Sequence, residues 1–125
     1  MTSAVIVEDD PYSAQVLSQY LGFIDISSQA TPSGEDVLNI LGSTKDVAII
    51  FVDLELEDGS GYDVLKTIKS KSAYNAIPVV AYTSHTTEKV QAQHAGFNSF
   101  ISKPINNELF MGQVQNILNG DPVWE

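Results

Sequence analysis

The run Val47–Val52, VAIIFV, is apolar at every position and does not alternate with polar residues. A strand of that kind must be covered on both faces, as a central strand of a parallel sheet is when helices pack above and below it. The rest of the chain has to fit around it. Other short segments rich in β-branched residues, Ala4–Val7, Ile24–Ser27, Pro78–Tyr82 and Ser99–Ile101, recur at intervals of roughly 20 to 30 residues and are predicted as strands. Segments with helical spacing lie between them, such as Ala14, Leu17 and Leu21, and then Val37, Ile40 and Leu41. Asp10 is a predicted N-cap, with Pro11 in the first helical position and Gly22 past the end. Ser33 precedes a second helix with Asp36 three residues on, and a last helix covers about Asn107 to Leu118, closed by Asn119 and Gly120. Five strands alternating with five helices predict a doubly wound α/β sheet.

A chain of 125 residues supports one core and not two. No linker, repeat or low-complexity tract divides it. It reads as a single domain over 1–125, with a core at about residues 3–119 and a short tail over 120–125, the DPVWE of Asp121–Glu125. Met1 and the tail after Gly120 are expected of a whole protein rather than a piece. The formal charge is -10, with 6 basic residues, all lysine, against 16 acidic ones. Phosphate backbones and anionic lipid are held by clustered Lys and Arg, so neither nucleic acid nor membrane is expected as a partner. No window approaches the roughly 18 apolar residues of a spanning helix, and the opening MTSAVIVEDD lacks a signal-type pattern, so a cytoplasmic location is expected. With no cysteine, any metal must be held by oxygen or by the two histidines.

In such a sheet, function gathers at the carboxyl ends of the strands. The first strand delivers Glu8, Asp9 and Asp10 there. The third delivers Asp53, followed by Leu54, Glu55, Leu56, Glu57, Asp58 and Gly59; the fourth Thr83, Ser84 and His85; the fifth Lys103 and Pro104. Crowding Glu8, Asp9 and Asp53 together is costly, because like charges oppose one another's ionisation. A divalent cation removes that cost, and hard oxygen donors point to Mg²⁺, which keeps several waters and takes up phosphate oxygens. Asp53 is then placed to act as a carboxylate nucleophile that forms an aspartyl-phosphate. Lys103 supplies positive charge to the phosphoryl oxygens, and Thr83 a hydroxyl donor. Taken singly, each group has a plainer reading: Asp10 as a cap, Asp53 as a turn residue, Thr83 as a β-former, Lys103 as a surface lysine. Together, on one edge, they are chemically compatible.

These residues resemble the receiver domain of two-component response regulators, in the stand-alone manner of the chemotaxis regulators. The resemblance rests on VIVEDDP (Val5–Pro11), FVDLELEDGSGYDVL (Phe51–Leu65), IPVVAYTS (Ile77–Ser84) and AGFNSFISKP (Ala95–Pro104). It implies a flavodoxin-like five-stranded sheet of order 2-1-3-4-5 and phosphorylation of Asp53 by a histidine kinase or histidine phosphotransfer protein. It further implies Asp9 as a direct Mg²⁺ ligand, Glu8 as one acting through water, and the Glu55 backbone carbonyl as a third, leaving Asp10 outside. Thr83 matches the switch hydroxyl, Phe100 the switch aromatic and Lys103 the phosphoryl-binding lysine. Phe100 taken alone would be ordinary strand core. The Lys103–Pro104 peptide is expected to be cis. Glu55 and His85 match positions that tune hydrolysis, with His85 as a metal ligand the lesser reading; His94 is expected on a helix surface.

On this resemblance the output is a changed surface on the fourth helix, fifth strand and fifth helix, read by an unknown protein partner, and the protein is a monomer or a phosphorylation-dependent dimer. It is not a conventional enzyme, though it is expected to catalyse its own phosphorylation and dephosphorylation. Two positions depart from the family's habit: Glu57, where proline is frequent, and Ser84, where alanine is frequent. Ser84 borders the space a phosphoryl group must enter. Competing readings are a non-phosphorylated receiver-like scaffold, a small Mg²⁺-dependent phosphohydrolase using Asp53 and Glu55, and an FMN carrier. The acidic EDDP loop is the wrong cradle for a flavin phosphate, and the chain shows no loop long enough to form a substrate pocket.

Overall fold

In the computed structural model, which describes residues 2–57 and 59–125, the apolar run Val47–Val52 is the middle strand of a parallel sheet. Met1 and Asp58 lie outside the described residues. The strands are β1 (Ser3–Val7), β2 (Ser27–Thr31), β3 (Val47–Val52), β6 (Val79–Thr83) and β7 (Ser99–Ser102), in the order β2-β1-β3-β6-β7. Every pairing is parallel. Between β3 and β6 sits a small antiparallel hairpin, β4 (Glu55–Leu56) and β5 (Gly59–Ser60), which the sequence reading did not foresee. With the hairpin set aside, the order is the expected 2-1-3-4-5.

The absence of alternation in β3 has a direct structural cause. Ile50 and Val52 enter one hydrophobic layer, under α2 (Val37–Ser43), α3 (Gly61–Lys69) and α4 (Lys89–Ala95). Ile49 and Phe51 enter the other, under α1 (Pro11–Gly22) and α5 (Phe110–Leu118). All four are at most 1% exposed, and each such burial contributes about 1.5–3 kcal/mol. Because all five strands run the same way, Glu8, Asp53, Thr83 and Lys103 emerge at one edge of the sheet.

Several boundaries differ from the expectation. The second strand is Ser27–Thr31, not Ile24–Ser27: Asp25 turns the chain with φ 62° and Ile26 is buried as an anchor, while the polar residues that follow pair with β1 at the sheet edge. Asp10 does cap α1, accepting from the Tyr12 amide and the Ser13 hydroxyl, but Gly22 is the last helical residue rather than the one beyond it. Ser33 caps a short 3-10 turn, Gly34–Asp36, ahead of α2. The last helix begins at Phe110, since the chain from Asn106 first makes a turn in which the Asn106 side chain accepts from the Glu108 amide. The tail is no loose end: Trp124 forms a parallel bridge with Phe100 on the open edge of β7.

Candidate functional site

The site is assembled from the residues that directly follow the strands. Glu8 leaves β1 with its amide bonded to the Thr31 carbonyl, and Asp53 leaves β3 with its amide bonded to the Val7 carbonyl at 2.9 Å. Those bonds continue the sheet ladder and fix where both carboxylates start. Glu8 is 3% exposed and Asp53 8%. Asp9 is half-buried, and its Oδ2 accepts the Glu57 amide at 2.7 Å, tying the first loop to the hairpin. The Glu55 amide donates to Asp53 Oδ1 at 3.2 Å. Glu8, Asp9 and Asp53 offer oxygen atoms that all lie within 4.8 Å of one another.

Lys103 reaches this cluster from the far side. Its Nζ bonds Glu8 Oε1 and lies 3.7 Å from Asp53 Oδ2, while its amide donates to the Thr83 carbonyl. The ring of Tyr82 lies beneath the ammonium, 5.0 Å from it to the centroid, a support that sequence reasoning did not single out. Thr83 is 1% exposed, with its hydroxyl oxygen accepting the His85 amide at 3.1 Å. Ser84 is exposed and shares an open cleft with Tyr12, Tyr82, Lys103 and Pro104. The Lys103–Pro104 peptide is cis.

Two of the proposed residues stand at the rim. His85 Nε2 lies 3.1 Å from Glu55 Oε1 in an exposed contact, and Glu88 approaches both while accepting from the Tyr62 hydroxyl. Burial and the neighbouring Glu88 push the Tyr62 phenol up to about 12. Phe100 is fully buried in the layer beneath α4, and the Lys89 ammonium lies 5.9 Å from its ring centroid. Asp10 commits its carboxylate to the Tyr12 amide and the Ser13 hydroxyl. Its carboxyl is held below the usual range, chiefly by the Ser13 hydroxyl. His94 is exposed on α4.

Burial raises the Glu8 carboxyl to about 7, an effect that the bond from Lys103 offsets and the nearby Asp53 reinforces. A buried acid beside a second carboxylate is a set of hard oxygen donors with too little positive charge, and an Mg²⁺ ion suits it. The consequence for metal-free protein has a definite sign. Folded Glu8 keeps its proton up to about 7, whereas the unfolded side chain loses it near 4.5. The associated stability is therefore complete below about pH 4.5 and is lost as pH rises through 7. Thermal unfolding in chelator is expected to show this decline between pH 5 and 8, and Glu8→Gln is expected to flatten it; an equal decline in that variant would assign it to other groups.

Gly61 is a residue the sequence reading missed. A β-carbon there would lie 2.3 Å from the Asp53 carbonyl oxygen and 2.8 Å from the Leu54 α-carbon, both backbone atoms that cannot swing aside. The Gly61 amide also bonds the Leu54 carbonyl, so the start of α3 is pressed against the peptide that follows Asp53. Gly61→Ala is expected to lower stability by about 1–3 kcal/mol, the usual cost of overpacking, and to displace Asp53. Denaturant unfolding checks the first effect; a variant as stable as the parent would show that the loop gives way freely.

Comparisons with known proteins agree with this fold. The family model described as "Response regulator receiver domain" matches residues 4–115. A curated relative, the cell cycle transcriptional regulator CtrA of Caulobacter vibrioides, is 26% identical over 114 residues, covering 91% of this chain and 49% of the relative. The chain thus spans about half the length of the curated relatives it matches. Among solved structures, a two-component response regulator from Clostridium difficile aligns with a TM-score of 0.83 at 26% identity, over 95% of this chain and 97% of that one. The chemotaxis protein CheY4 of Vibrio cholerae aligns at 0.84 with 20% identity, over 94% and 98%, a likeness of fold.

Proposed function

This chain belongs to the response regulator receiver domain family, and from that premise we propose that it is a phosphorylation-dependent signalling switch with Asp53 as its phosphoacceptor. The observation that carries the proposal is the convergence of Glu8, Asp9 and Asp53 within 4.8 Å, with Lys103 reaching both Glu8 and Asp53. Glu8, Asp9, Asp53 and the backbone carbonyl of Glu55 would hold Mg²⁺. When bound, the ion supplies positive charge that offsets charge on the phosphoryl oxygens.

The chain's own residues do the rest. An Asp53 carboxylate oxygen attacks the phosphorus of a phosphohistidine on a histidine kinase or phosphotransfer protein. The new P–O bond forms as the P–N bond breaks, and the imidazole leaves with the electron pair and takes up a proton. Lys103 remains charged and exchanges its pairing with Glu8 for one with a phosphoryl oxygen. The Thr83 hydroxyl, held at the end of β6, donates to another, and Ser84 lies beside it. Glu55 and His85, paired at the rim, tune the approach of the water that returns Asp53 to its free form. Movement of Thr83 and Phe100 then alters the surface of α4, β7 and α5, which a downstream protein reads. A cytoplasmic site of action belongs to the same proposal.

The test is thermal unfolding with Mg²⁺ and beryllofluoride, a stable mimic of a phosphoryl group on a carboxylate. A ligand that binds only the folded state must raise its stability, by about 2.7 kcal/mol at a hundredfold excess over Kd. The midpoint is expected to rise only when both components are present, and not in Asp53→Asn. No rise in either protein would favour the scaffold reading.

A further inference from the structure

Residues 122–125 are seated, not trailing. Gly120, with φ 92°, turns the chain back from α5, and the segment then runs parallel to β7. The Phe100 amide donates to the Val123 carbonyl at 2.7 Å, and the Glu125 amide donates to the Phe100 carbonyl at 2.9 Å. The Val123 amide donates to the Ser99 hydroxyl oxygen at 3.0 Å, and the Ser102 hydroxyl donates to the Glu125 carbonyl at 2.8 Å. Val123 is 6% exposed in the layer of α1 and α5, whereas Trp124 packs on the opposite layer, the one that contains Phe100. The segment therefore behaves as a short edge strand with one side chain in each layer of the core.

Its contacts fall on β7, the strand that carries Phe100 and leads directly into Lys103. Ser102, bonded to Glu125, is the register partner of Thr83 and directly precedes Lys103. Phe100 is gripped through both its amide and its carbonyl. We propose that this strap braces β7 in the arrangement of this structure, and so opposes any rearrangement of the strand that loading of the Asp53 site requires. The inference rests on the reading of Asp53 as phosphoacceptor. A group on Asp53 that draws on Thr83 and Lys103 shifts the strand the strap is fitted to, and the strap's four bonds and the Trp124 contact resist that shift. Coupling of this kind is reciprocal: loading loosens the strap, and loosening the strap favours loading by the same factor.

Trp124 is the chain's single tryptophan, so its emission reports on the strap. The experiment measures beryllofluoride affinity at saturating Mg²⁺ for the full chain and for three variants. Trp124→Ala is expected to bind about three- to tenfold more tightly. Trp124→Phe, which keeps an aromatic contact, should stay within about twofold of the parent, and Ser102→Ala should move in the direction of Trp124→Ala by less. Trp124 emission in the parent should shift to longer wavelength only when Mg²⁺ and beryllofluoride are both present. Affinity in Trp124→Ala that is equal to or weaker than the parent's, or unchanged emission in a parent that does bind, overturns the strap. Absence of binding in the parent overturns the acceptor reading beneath it.

Discussion

Asp53→Asn is expected to abolish transfer of label from a phosphodonor while leaving the circular dichroism unchanged. The substitution keeps the shape of the side chain and an oxygen able to accept the Glu55 amide, now bonded to Oδ1 at 3.2 Å. It removes the negative charge and one nucleophilic oxygen. Because Asp53 shares its surroundings with Glu8, losing that charge relieves repulsion rather than stranding a partner: Lys103 still pairs with Glu8. Loss of labelling in a folded variant therefore reads on chemistry and not on collapse. The loss is expected to be complete to background, since Asp9 is tied to the Glu57 amide and Glu8 is already paired with Lys103. Retained labelling would move the acceptor to one of those carboxylates.

What the sequence carried and what it did not divide along a physical line. The non-alternating VAIIFV run specified a strand buried on two faces, and parallel neighbours followed from it, so the shared edge of Glu8, Asp53, Thr83 and Lys103 was legible before any distance was known. β2 was misplaced because Ile24 and Ile26 look like strand and Ser27–Thr31 does not. At a sheet edge, pairing with β1 decides the matter, and a polar segment pairs as well as an apolar one. Gly61 was illegible for another reason: its need for no side chain arises only when α3 folds back on the Asp53 carbonyl. The strap over residues 122–125 is too short to register as an element, and its identity lies in bonds to Phe100 and Ser102 that exist only once β7 offers an open edge.

Asp9 gives the second large effect, and there two contributions must be separated. Asp9→Ala is expected to weaken Mg²⁺ binding at least about tenfold, equivalent to roughly 1.4 kcal/mol. Without metal, the variant also loses repulsion against Glu8 and Asp53, which favours the fold. It loses the 2.7 Å bond from the Glu57 amide as well, which costs about 0.5–1.5 kcal/mol. Asp9→Asn resolves the two, because its amide oxygen still accepts from Glu57 while the charge is gone. Both variants should bind Mg²⁺ at least about tenfold more weakly by calorimetric titration, and in chelator Asp9→Asn should unfold at a higher temperature than Asp9→Ala. The relief of repulsion should place Asp9→Asn above the parent as well. Unchanged Mg²⁺ affinity in either variant would remove Asp9 from the metal site and leave Glu8 and Asp53 to hold the ion. A metal-free midpoint for Asp9→Asn below the parent's would mean that the negative charge of Asp9 is worth more to the hairpin than its repulsion costs the cluster.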